Sequence, residues 1–114
     1  MNKNQLIYIA SPYSSVIKET EQIRYDATLR IVSDLLKQGY HVVSPIVHCH
    51  PLSVKYEIYT QYYFWEDYNL HILEKCDLLL ILKLKEWDKS VGVRAEIKYA
   101  EEVLKIPVEY YNVD

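Results

Sequence analysis

The sequence predicts an α/β fold: a single-domain three-layer sandwich with a four- to five-stranded, mostly parallel sheet of flavodoxin- or Rossmann-like type. Three observations predict it. Short apolar runs alternate with longer stretches of helical periodicity, the order that builds parallel sheets with right-handed crossovers. The run "DLLLILKL", residues 77–84, is apolar without alternation, as in a strand covered by helices on both faces. And 114 residues with only 2 Gly and 4 Pro leave no linker at which a second domain would begin.

Along the chain, "LIYIA" (6–10) is a β-branched apolar run stopped by "SPYSS", a buried strand and a turn. From about Ile17 to Gln38, Ile23, Ala27, Ile31, Leu35 and Leu36 recur at helical spacing, and Gly39 supplies the stop. "YHVVSP" gives a second strand, cut by Pro45. After a loop "IVHCHPLS", one helix is expected through the tyrosine-rich tract to Lys75. "DLLLILKL" is the third strand, "SVGVRAEIKYAEEVLK" an amphipathic helix with Val93, Ile97, Ala100 and Leu104 on one stripe, and "IPVEYY" the fourth strand. Ligands of such sheets sit beyond the carboxyl ends of the strands. Functional residues are therefore expected in "SPYSS", "SPIVHCHP" and "KEWDKSVG".

Composition narrows the partners. Thirteen Lys and Arg are scattered among sixteen Asp and Glu, for a net charge of −3, and form no stripe; polymeric nucleic acid is excluded as a partner. The longest apolar runs are strand-length and the N-terminus lacks the apolar core of a signal peptide, which predicts a cytoplasmic protein with no membrane partner. Cys49 and Cys76 fall in no CxxC spacing and read as free thiols. Of 12 Tyr, many crowd into "YEIYTQYYFWEDY", residues 56–68. That tract is read as a helix packing on another copy of the chain, in a homodimer or higher homo-oligomer, with a ring such as Trp65 left to stack on a ligand.

Glu96 falls in the early turns of the last helix, just past Gly92. The macrodipole favours an anion there by ~0.3–1 kcal/mol, which would keep the carboxylate ionised and nucleophilic. Such a group can attack an anomeric carbon in retaining glycosyl transfer; a plain first-turn acid fits the same position. Glu101 and Glu102 read as solvated surface. Ser90 is a good N-cap and Gly92 allows close backbone approach, so the helix start could hold a phosphate or a sugar hydroxyl. Tyr8 lies on the first strand, where its hydroxyl could orient a carboxylate. Ser11 and Tyr13 follow in the loop. "HCH", residues 48–50, has no partners at metal-ligand spacing, so no metal or other cofactor is expected; His48 or His50 could form a polar pocket wall.

Taken together, "IYIASPYS", "LLKQGYHVVSP", an aromatic helix ending "LEKCD", and "SVGVRAEIKYA" resemble the nucleoside 2-deoxyribosyltransferase superfamily over nearly the whole chain. Ser-x-Gly-Val-x-x-Glu is similar to the form found in the 2'-deoxynucleoside 5'-phosphate N-hydrolases. The resemblance implies that Glu96 is the nucleophile, that Tyr8 hydrogen-bonds it, that the Gly92 region contacts the sugar, and that Ser90 contacts a 5'-phosphate. The small-molecule partner would be a nucleoside or nucleotide. Two departures stand out. An Asp that assists at the base or the attacking water is replaced by Asn69, eight residues before Asp77, and Asp67 lies about 200° from it around a helix. The first loop, "SPYS", lacks the glycine and arginine of the N-hydrolases, leaving Arg24 and Arg94 as nearby cations. The competing expectation, motivated by Asn69, is a nucleotide-binding or sensing module without turnover; a third is an interaction protein built on the tyrosine-rich helix.

Overall fold

A computed structural model describes residues 1–58 and 62–113, and only the backbone of Tyr62 and Tyr63. Its sheet has four strands, β1 (Leu6–Ala10), β2 (His41–Val43), β3 (Leu78–Lys83) and β4 (Val108–Asn112), in the order β2-β1-β3-β4. All pairs are parallel; Ile7 stands between Val42 and Leu78, and Leu79 faces Val108.

The pleat sends alternate side chains to opposite faces, and each face builds its own core. Ile7, Ile9, Leu78, Leu80 and Leu82 pack with Ile31, Val32 and Leu35 of helix α1 (Lys18–Lys37). Tyr8, Ala10, Leu79 and Ile81 pack on the other face with Leu73 of α3 (Tyr62–Leu73) and Val93 of α4 (Val91–Lys98). Helices on both sides of the sheet make the three layers, and they account for a β3 with no polar alternation.

Helix α1 ends where expected. Gly39 takes φ +94°, Tyr40 N–H donates to Leu35 O at 3.1 Å and Gly39 N–H to Leu36 O at 3.0 Å, a Schellman close. Its expected apolar stripe is only half right: Ile31 and Leu35 are buried, whereas Ile23 and Leu36 are exposed. The first turns of α1 lie beyond the sheet, against the loop after β1, and bury polar Glu21 and Thr28 instead.

The expected loop after β2 is helical. Ser44 caps α2 (Pro45–Tyr56), its Oγ accepting from Val47 N–H at 3.2 Å, and Pro45 takes the first helical position, where a missing N–H costs nothing. The single helix expected through to Lys75 is two: α2 ends at Tyr56, followed by Glu57 at φ 58°, and α3 starts at Tyr62. The tract's Tyr59, with residues 60–61, lies outside the described residues. After β3 a 3-10 turn (Trp87–Lys89) leads to α4, which continues as a π-helical segment, Tyr99–Leu104, before β4. Among the described residues no helix is long and apolar enough to cross a membrane.

Candidate active site

The chain moves from β1 outward to β2 and then crosses back to β3, so strand order reverses between β1 and β3. The helices diverge there and leave a crevice at the carboxyl ends. A cavity of about 730 Å³ opens at that point, lined by the end of β1, the β1–α1 loop and the N-terminal turns of α2 and α4, with one wall from α3. Its size is that of small-molecule sites in general, ~300–1,000 Å³.

The polar start of α1 shapes the β1–α1 loop. Ser11 Oγ and Thr28 Oγ1 are 3.0 Å apart, Arg24 Nη1 donates to Tyr13 O and Ser14 O at 3.2 and 3.1 Å, and Glu21 Oε2 accepts from Ser15 N–H at 3.1 Å. A loop without glycine is thus held by side chains from the following helix. Ser11 and Tyr13 both line the cavity.

Glu96 lies at the cavity's base and is 5% exposed. Tyr8, on the face of β1 that looks toward α4, donates a buried hydrogen bond to Glu96 Oε2. Glu96 is the sixth residue of α4, not a first-turn acid, and the dipole's influence fades beyond the first turn. Burial governs its charge: it pushes the carboxyl up to about 8, and the Tyr8 hydrogen bond opposes this only in part. The expectation of a carboxylate kept ionised is therefore reversed: burial keeps the proton on at neutral pH.

Ser90 caps α4, its Oγ accepting from Val93 N–H at 3.2 Å, and Gly92 lines the cavity beside it. The first N–H groups of the helix, from Val91 and Gly92, have no acceptor within the helix, and both residues line the same opening. Arg24 reaches the cavity edge, 3.8 Å from Glu86 Oε1. Arg94 is exposed and takes no part in the lining.

Asn69 lies on α3 and lines the cavity. It is 9% exposed and its Oδ1 has no hydrogen-bond partner. Trp65 lines the same wall one turn earlier. Two expected residues stand elsewhere. Asp67 is exposed, turned away as two helical residues require, and Glu66 lines the cavity instead. His48 is exposed and stacks on Tyr68 at 6.3 Å, because "HCH" is helical rather than extended and its two histidines point opposite ways. The buried one is His50, bonded to Tyr13 at 2.6 Å.

Sequence reasoning missed Ser53 and Cys49 in the lining. Ser53 Oγ is a second buried oxygen without a partner, and burial holds the Cys49 thiol at about 11, unreactive. Recognising "SP" as a cap-plus-Pro helix start would have placed both on α2. The chain matches no curated protein. The family model described as a domain of unknown function (DUF1937) matches residues 5–112, a span that holds all four strands, Tyr8 and Glu96, and the chain belongs to that family.

Proposed function

We propose that the protein cleaves the N-glycosidic bond of a deoxynucleoside or (deoxy)nucleoside 5'-monophosphate through a covalent glycosyl–Glu96 intermediate, as the resemblance to the deoxyribosyltransferases implies. The observation that carries this reading is the buried Tyr8–Glu96 pair at the base of a cavity at the strand-order switch.

Glu96 first gives up its proton to solvent, and a carboxylate whose proton is held to about pH 8 is more basic and nucleophilic than an ordinary one once ionised. It attacks C1' as the bond to the base breaks, the electron pair leaving with the base. Tyr8 holds the attacking carboxylate in place. Asn69 presents its amide to the departing base; it can hydrogen-bond the leaving group but cannot transfer a proton to it, and proton transfer is commonly worth ~10²–10⁴ in rate. The start of α4 with Ser90 and Gly92 suits the sugar or its 5'-phosphate, and Trp65 offers a ring face to the base.

The test is release of free base from a panel of deoxynucleosides and their 5'-monophosphates, followed by chromatography. Wild-type release that disappears in Glu96→Gln is expected; no release from any member defeats the reading. Asn69 favours a second reading, a module that binds nucleotide without turnover, which calorimetry would reveal as tight binding with no base released. We further propose a homo-oligomer built on the exposed Phe64 and Tyr68 of α3, which sedimentation showing only monomer would contradict. The free thiols of Cys49 and Cys76 suit a reducing, cytoplasmic setting.

A further inference from the structure

His50 is a buried titratable group, 5% exposed, with no role in the steps above. Its ring stacks on Tyr25, centroids 4.1 Å apart, and meets Tyr13 edge-on. Nε2 lies 3.0 Å from Gln22 Oε1, and Nδ1 lies 2.6 Å from the Tyr13 hydroxyl. A carboxamide oxygen only accepts, so Nε2 carries the ring proton. Nδ1 is then bare, and the Tyr13 hydroxyl donates to it. Tyr13 lines the cavity, and its hydroxyl proton is held by His50.

The arrangement also accommodates a second proton. Imidazolium would donate from Nδ1 to Tyr13 Oη and from Nε2 to Gln22, leaving neither donor unpaired. Burial and Lys18 oppose that charge, while the carboxylates of Glu21 and Asp26 favour it. Burial, with Glu21 and Cys49 adding to it, keeps the Tyr13 phenol protonated, so it relays a proton and does not persist as phenolate. Four other described residues of the lining are less suited to act as the base. Glu96 is esterified in the intermediate, Asn69 cannot take a proton, Glu86 is paired with Arg24 and Glu66 is exposed.

We propose that Tyr13 and His50 form a proton relay that activates the water hydrolysing the glycosyl–Glu96 ester, which makes the protein a hydrolase; this rests on the Glu96 reading. The water oxygen bonds to C1' as the C1'–O bond breaks, its electrons returning to the Glu96 carboxylate. One water proton passes to Tyr13 Oη, and the Tyr13 proton passes to His50 Nδ1 and from there to solvent. Tyr13 is the catalytic residue of this step and His50 a positioning residue acting through it.

The test is rapid-quench measurement of base release from each of the four common 2'-deoxynucleoside 5'-monophosphates. His50→Phe and Tyr13→Phe are each expected to keep a burst of one base per site while steady-state turnover falls ~10²-fold or more. In wild type, kcat should show an acid limb below the ordinary imidazole range, absent from His50→Phe. Azide, which attacks without surrendering a proton, should restore turnover in both variants and yield a glycosyl azide. Unchanged turnover, loss of burst and turnover together in a folded variant, or no azide rescue would overturn the relay alone. Wild type releasing no base from any of the four, nor from the four deoxynucleosides, overturns the Glu96 reading and the relay with it. Tyr13→Phe removes one oxygen and keeps the ring, so it carries the test if His50→Phe does not fold.

Discussion

Glu96 is costly to keep where it is. Its carboxyl is buried, and its pKa stands at about 8 against an ordinary 4.5, so between those values the folded protein holds a proton that the unfolded chain has lost. Stability from this group is full below pH 4.5 and is lost as pH climbs through about 8. Glu96→Gln should abolish base release and remove that slope, making the protein more stable than wild type at pH 8 by ~2 kcal/mol or more, since each pKa unit is ~1.4 kcal/mol. Urea denaturation of both proteins at pH 5 and pH 8 reads this directly; equal slopes with pH would contradict it. Because the Tyr8 hydrogen bond lowers the Glu96 pKa, Tyr8→Phe should raise it further and move the acid limb of kcat/KM to higher pH. The pairing of Tyr8 with Glu96 was legible from the resemblance. The charge state was not, because a dipole argument along the helix contains no desolvation, and desolvation depends on what the other layers bring over the residue.

At the scale of elements, the first loop and the start of α1 act as one unit. Thr28→Val keeps the shape of the side chain but removes its contact with Ser11 Oγ, so the loop carrying Tyr13 should loosen and KM should rise several-fold, with kcat less affected. Gly39 sits at the opposite end of the same helix at φ +94°. Gly39→Ala should destabilise the fold by ~1 kcal/mol or more while leaving KM unchanged, which separates the stability of α1 from its work at the site. The strands and the outer bounds of α1 could be read from periodicity and from Gly39. Helix α2 could not, because Pro45 after a strand was taken as a break when Ser44-Pro45 is equally a helix start. That misreading put His48 on a pocket wall and hid Ser53 and the contact of His50 with Tyr13. The polar face at the start of α1 was also hidden, since an apolar stripe marks contact with a core and this end contacts a loop.

Over the whole molecule, two cores on opposite faces of one sheet hold β1 and β3 side by side, and this places Tyr8 under Glu96. Leu80 is 1% exposed in the core on the α1 side, so Leu80→Ala should cost ~2–5 kcal/mol and lower the melting temperature while the pH dependence of activity at permissive temperature stays that of wild type. The central claim is a covalent sugar on Glu96, and trapping tests it most directly. A 2'-deoxy-2'-fluoroarabino nucleotide slows breakdown of a glycosyl ester, so intact-protein mass spectrometry should show a mass gain of one fluorinated sugar phosphate, mapped to the peptide that contains Glu96. Base release with no adduct, or an adduct on another residue, would contradict the account.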